Sequence, residues 1–269
     1  AALVSSSAAL SSSSPSRRSP PQVSSSRRTT TTTNTGRRRS SFSSAATRVS
    51  STTRVGVVTR MGPPLPSKDP GHSIGGKDAS VVVACWLDYA CPFCAKFHKT
   101  FVEEVVPHYG DNLRFVFYHQ VQPWHPQSTL MHEAAIAVTM IGGEDAFWKF
   151  SAALMAGQSQ FFDAHTYDKS RMDIYKELAA LAAASCGPGV VNEAAVLAKL
   201  ARVHVEGQLN TGNACTQQLK FHVKLGRQLG IHVSPTTTLN GMVFDSSSGW
   251  SLAQWTEMLD PHEQANAKL

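Results

Sequence analysis

A run of strand-forming residues that stops at a cysteine pair is the feature that most restricts this chain. Residues 80–87 read SVVVACWL. Continuous rather than alternating hydrophobicity over that length predicts a strand buried on both faces. Cys91-Pro92-Phe93-Cys94 follows almost at once. The next stretch, AKFHKTFVEEVVPHYG, spaces Phe97, Phe101, Val102, Val105 and Val106 at helical intervals. Pro107 and Gly110 are expected to close that helix. NLRFVFYHQV, 112–121, predicts a second strand. The two cysteines therefore fall at a strand-to-helix junction within a β–α–β unit.

From 127 to 230 the pattern turns helical. STLMHEAAIAVTMIGG ends in two glycines, and GEDAFWKFSAALMAG predicts a further helix. SRMDIYKELAALAAASCGPG begins with Ser170 three residues before Asp173, the spacing of a capping box. NEAAVLAKLARVHVEG and TGNACTQQLKFHVKLGRQLG complete the set. Strand character returns in GIHVSPTTTLNGMVFD, where Asn240-Gly241 between β-prone runs predicts a hairpin. SLAQWTEMLDP, 251–261, predicts a last amphipathic helix. The expected architecture is α/β: β-α-β, a helical insert, then β-β-α.

Charge is divided unevenly. The chain of 269 residues carries a formal charge of +6. Residues 1–68 hold ten Arg, one Lys and no acid. Removing those eleven from the 25 basic residues leaves 14 against 19 acids, a body near −5. A body of that sign has no attraction for phosphate backbones, so no nucleic-acid partner is expected. Residues 1–70 are mostly Ser, Thr, Arg and Ala, too polar to bury a core, and are expected to be disordered. Arg-rich, Ser-rich and acid-free is the composition of an organelle transit peptide, plastid ahead of mitochondrion. The first Met is Met61, and a start there gives a cytosolic protein. No run approaches the ~18 apolar residues of a membrane span.

A thiol attacks only as thiolate, and a free cysteine with pKa ~8.5 is mostly protonated at neutral pH. A helix N-terminus offers unpaired N–H groups and roughly half a positive charge, which stabilise a thiolate at Cys91. Cys94, one turn along, is spaced to attack a mixed disulfide formed at Cys91. Pro92 fits the first helical turn, where its missing N–H costs nothing. Five cysteines, Cys85, Cys91, Cys94, Cys186 and Cys215, with mostly long spacings, do not make the disulfide framework of a small secreted domain.

On DYACPFC after a buried strand, the helical insert and GIHVSPTTTLNG, the chain resembles the thioredoxin superfamily, and within it the DsbA-like thiol-disulfide oxidoreductases. The resemblance implies a thioredoxin-like domain over 71–126 and 231–269, interrupted by a helical domain over 127–230. It implies that Cys91 attacks, that Cys94 resolves, and that Pro235 is a cis-proline facing the pair. Ser234 and Pro235, with Pro92 and Phe93, would receive the substrate backbone. Protein thiols and disulfides are the implied partners, with glutathione or a thioredoxin-type reductant supplying electrons. No cofactor or metal beyond the dithiol is implied. Two departures stand out. The position six before the first cysteine, often acidic in this family, is Cys85, which leaves proton transfer to water or Asp88, or brings Cys85 itself into the redox chemistry; Cys85 reads first as a buried strand residue packing as a small hydrophobe. Pro-Phe between the cysteines lacks an imidazole that would favour the thiolate, so a less extreme oxidant is expected.

Three other readings compete. Zinc on Cys91, Cys94 and His98 lacks the second close pair that structural zinc wants, and His98 reads as a solvated helix residue. A kappa-type glutathione-dependent transferase or isomerase shares the architecture but usually keeps Ser or one Cys. A redox-inactive binding or folding-helper module has no need of an intact pair. Trp124-His125-Pro126 reads as a hinge or groove wall. Cys186 and Cys215 read as packing residues, and no chemistry is assigned to His204 or His222.

Overall fold

The structure, a computed structural model, describes residues 66–266. The expected disordered tail, its targeting role and the Met61 start concern segments outside the described residues. Five strands form one sheet: β1 (His72–Gly75), β2 (Val81–Leu87), β3 (Leu113–His119), β4 (Thr236–Leu239) and β5 (Met242–Phe244). Their spatial order is β1-β3-β2-β4-β5. β2 and β3 run parallel, while β1, β4 and β5 pair antiparallel with their neighbours. The sheet is therefore mixed. β2 is central, and its continuous hydrophobicity follows from that. Val83, Cys85 and Leu87 point into the main core, and Ala84 and Trp86 into a smaller cluster on the opposite face with Tyr118 and Ile231.

β1 was not foreseen. Its sequence, HSIG, is only four residues long and offers a single β-branched apolar side chain. Pairing with β3, from His72↔Phe117 to Gly75↔Arg114, makes it a strand.

Helix α1 (Pro92–Thr100) passes through a π-helical turn, Phe101–Val105, into α2 (Val106–Tyr109). Pro107 does not end the helix as expected. The wide turn ahead of it absorbs the hydrogen bond that proline cannot donate. Phe97, Phe101 and Phe115 gather against Trp255, with Phe101 and Trp255 ring centroids 4.8 Å apart and edge-to-face. Burying each phenylalanine contributes roughly 1.5–3 kcal/mol.

Between β3 and β4 stand α3 (Ser128–Ala156), α4 (Asp163–Thr166), α5 (Arg171–Cys186), α6 (Glu193–Leu200) and α7 (Thr216–Gln228). α3 is two helical segments joined at Gly143, whose φ of 73° is open to glycine at little cost. The capping box of α5 forms in both directions between Ser170 and Asp173, a feature worth about 1 kcal/mol. The stretch expected to continue α6 through 207 leaves the helix after Leu200, so His204 is exposed and non-helical. Asn240 and Gly241, both with positive φ, close the β4–β5 hairpin. α8 (Leu252–Asn266) ends the described chain. Among the described residues, no helix is long and apolar enough to cross a membrane.

Candidate active site

Register brings the distant parts of the site together. Antiparallel pairing of Trp86 with Thr236 sets the start of β4 beside the end of β2. Ser234 and Pro235 therefore arrive at the mouth of α1, and the Cys91 Sγ lies 3.6 Å from the Ser234 carbonyl oxygen. The Ser234–Pro235 peptide is cis.

Cys91 is the N-cap of α1, with Pro92 at the first helical position. The Cys94 side chain, hydrogen-bonded to the Cys91 sulfur, is the largest influence on Cys91 and lowers its pKa. Burial opposes this, and the backbone amides of Cys94 and Phe93 add to the lowering. The net result is a Cys91 pKa brought down to about 6. No side chain makes a close capping bond at this helix end, so the influence of the amides is mainly electrostatic. Cys94 is fully buried, and burial, followed by its hydrogen bond to Cys91 and the Cys91 charge, pushes its pKa well above the usual range. One sulfur is poised and the other is held back. Phe93 is 62% exposed beside them, presenting an apolar ring at the rim.

The loop from Asp88 to Cys91 is tied down by its own backbone and by the loop and helices that follow β3. The Asp88 carboxylate is fully buried. It accepts from the backbone N–H groups of Ala90 and Gln122, from the Ser128 hydroxyl and from His125 Nδ1. The Asp88 N–H in turn donates to Cys94 Sγ at 3.3 Å. The Gln158 side-chain amide donates to the carbonyls of Tyr89 and Cys91, and the Tyr89 hydroxyl donates to Ser151. A cavity of about 280 Å³ opens beside the pair, lined in part by Ala90, Pro92, His125 and Phe162. Trp124 is exposed.

One sequence reading changes here, and the reading of Cys85 as a buried strand residue holds. His98 is 2% exposed rather than solvated, faces Ser151 Oγ at 3.4 Å, and burial lowers its pKa to about 4. Its apolar neighbours at helical spacing were the available signal. Cys85 lies in the strand interior with its sulfur 3.7 Å from Thr237 Oγ1, and burial pushes its pKa up. Gln158 was missed altogether, because nothing in the sequence of its short turn marks it as reaching the loop.

A second group of side chains was not foreseen. His119 ends β3 and meets His72, His132 and His222. All four are buried.

A family model described as thioredoxin matches residues 67–260. Among solved structures, a Pseudomonas syringae protein provisionally described as a protein-disulfide isomerase is 24% identical, with a TM-score of 0.54, covering 70% of this chain and 97% of that one. BdbD from Bacillus subtilis is 17% identical, with a TM-score of 0.53, covering 76% and 98%. Among curated proteins, "Na(+)/H(+) antiporter NhaA 1" of Mycobacterium sp. (strain KMS) is 32% identical over 102 residues, 38% of this chain. The match spans only 16% of that relative's length. The family match runs over most of the described residues, and both solved neighbours share the overall fold. On these grounds the chain belongs to the thioredoxin family and carries the thioredoxin-like fold.

Proposed function

We propose that this protein is a thiol-disulfide oxidoreductase that acts on protein substrates through Cys91 and Cys94. The observation that carries the reading is the split between the two sulfurs, Cys91 lowered to about 6 and Cys94 raised, at a helix N-terminus facing Ser234. The Cys91 thiolate attacks one sulfur of a substrate disulfide, and the other substrate sulfur leaves as thiolate. Forming the mixed disulfide removes the Cys91 charge and its hydrogen bond, two of the causes that hold the Cys94 proton in place. Cys94 then loses its proton, attacks the Cys91 sulfur and releases the second substrate thiolate. The Cys91–Cys94 disulfide remains, and the reverse sequence oxidises a client dithiol.

Pro235 and Ser234 supply the loop that receives substrate backbone, and Pro92 and Phe93 form its apolar rim. On this reading residues 127–230 act as the insert that anchors the Asp88–Cys91 loop, and Asp88 organises the loop rather than serving as the attacking base. Glutathione or a thioredoxin-type reductant returns electrons to the pair. A role in a plastid, suggested by the composition of the tail, accompanies the proposal.

Replacing Cys94 by Ser tests it. The variant is expected to accumulate mixed disulfides when its Cys91 thiolate attacks a disulfide of scrambled ribonuclease or of oxidised glutathione, the other sulfur leaving as thiolate, and the adduct is read by mass under non-reducing conditions. Absence of any Cys91 adduct in the folded variant would favour a redox-inactive binding module instead.

A further inference from the structure

The four buried histidines come from four separate elements: β1, β3, α3 and α7. Polar rings are costly to bury without partners, and gathering several suggests a task that apolar residues cannot do. The His72 and His119 Nε2 atoms stand 3.2 Å apart. Two nitrogens bound to one tetrahedral zinc at ~2.0–2.1 Å stand ~3.3 Å apart. With His222, these rings offer three ligand nitrogens, all within 4.8 Å of one another.

The proton positions follow from the partners. Glu144, half-exposed and accepting only, takes a hydrogen bond from His72 Nδ1 at 3.1 Å. The His72 lone pair is thereby fixed on Nε2, aimed at the cluster, which is the carboxylate–histidine arrangement of many metal sites. Phe147, stacked on His72 with centroids 3.6 Å apart, holds the ring plane. Without a cation, His119 Nε2–H must donate to His72, and His132 Nδ1–H to His119 Nδ1, 2.6 Å away. With a cation, His119 frees Nε2 by carrying its proton on Nδ1, and His132 moves its own to Nε2. Each ring stays neutral and no proton leaves these two. The switch breaks no bond at the far end, because His132 Nε2 is buried without a partner. His222 gives up only the long bond, 3.3 Å, that its Nδ1 accepts from the His119 backbone N–H.

Access also exists. His72, His222 and Glu144 line a cavity of about 380 Å³ together with Lys68, Asp69 and Thr139. It offers an entry path and room for a water as fourth ligand. We infer that His72, His119 and His222 form a binding site for a divalent first-row transition cation of the zinc class, with Glu144 orienting His72 and His132 orienting His119. Neutral imidazoles suit zinc, copper, nickel and iron, and disfavour magnesium and calcium, which prefer oxygen.

The test uses the full chain, free of any histidine tag, with Cys91→Ser and Cys94→Ser removing competing thiolates. Titration with Co²⁺ is expected to give one bound equivalent with the intense visible bands of a tetrahedral site, displaced by Zn²⁺. Glu144→Ala, at a half-exposed position, is expected to weaken the affinity 10–100-fold, and His72→Gln to abolish the bands. Retention of only trace cation after gel filtration would overturn the inference. So would an affinity unchanged in both variants. Should His72→Gln fail to fold by circular dichroism, Glu144→Ala alone decides.

Discussion

The mouth of α1 and the interior of the sheet hold the same functional group in opposite conditions. At the mouth, Cys91 meets a hydrogen-bonding Cys94 and the amides of a helix end, and its pKa falls to about 6. Six residues earlier on the adjoining strand, Cys85 meets apolar walls and one threonine hydroxyl, and its pKa rises. Cys215, buried at the start of α7, is pushed up to about 12 by burial and by Glu133. Residue type is identical in all three, so reactivity here belongs to the fold. Hydrogen bonding from the neighbouring Cys94 thiol and the backbone amides stabilises the thiolate at Cys91, whereas at Cys215 burial and the Glu133 charge suppress it even though that residue also caps a helix N-terminus.

That contrast can be broken most severely by Cys91→Ser. Thiol-disulfide exchange with a model client is expected to fall to the uncatalysed level, measured by client reduction in glutathione buffer. Asp88→Ala comes next. It strands the N–H groups of Ala90 and Gln122, the Ser128 hydroxyl and His125. A loss of about 3–5 kcal/mol is expected in urea denaturation, the range for removing one member of a buried charged network.

The pH dependence sharpens the contrast further. Alkylation of native Cys91 by iodoacetamide should titrate with a midpoint near pH 6, whereas in urea every cysteine should titrate near ~8.5. The midpoint is the diagnostic rather than the rate, since a thiolate of low pKa is also a weaker nucleophile. The same shift links to stability. Between about pH 6 and the unfolded value, the unfolded chain holds a proton on Cys91 that the native chain has released, so stability rises with pH. The gain is complete above the unfolded pKa and is lost as pH falls through about 6. Urea melts of the reduced protein against Cys91→Ser at pH 5.5 and 8.5 would expose it. The smallest effect belongs to Cys85→Ala, which should cost about 1 kcal/mol as a small cavity and leave the exchange rate unchanged.

Much of this arrangement could be read from the chain before folding. Continuous hydrophobicity announced β2, Asn240-Gly241 announced the hairpin, and Ser170 with Asp173 announced the start of α5. The pairing of Cys91 with Ser234-Pro235 was legible only through resemblance, since 143 residues separate them and strand register brings them together. β1 escaped notice because so short a strand is made by its neighbour rather than by its own propensity. The histidine cluster escaped for a similar reason. Each imidazole sits singly on its own element, and a lone histidine among apolar residues reads as packing. Only the convergence of β1, β3, α3 and α7 on one point distinguishes it. Asp88 was visible as a candidate base, but its four hydrogen-bond donors come from residues 90–128 and were not.

On the proposed function, Cys91 and Cys94 form a working redox pair. It is tested most directly by equilibrating the protein, with Cys85, Cys186 and Cys215 changed to Ala, across a series of glutathione buffers and reading the oxidation state by mass. One reversible two-electron transition confined to Cys91 and Cys94 is expected. A midpoint between about −120 and −180 mV would assign an oxidase or isomerase, and one near about −270 mV a reductase. A folded protein that shows no reversible couple across the whole series would contradict the account.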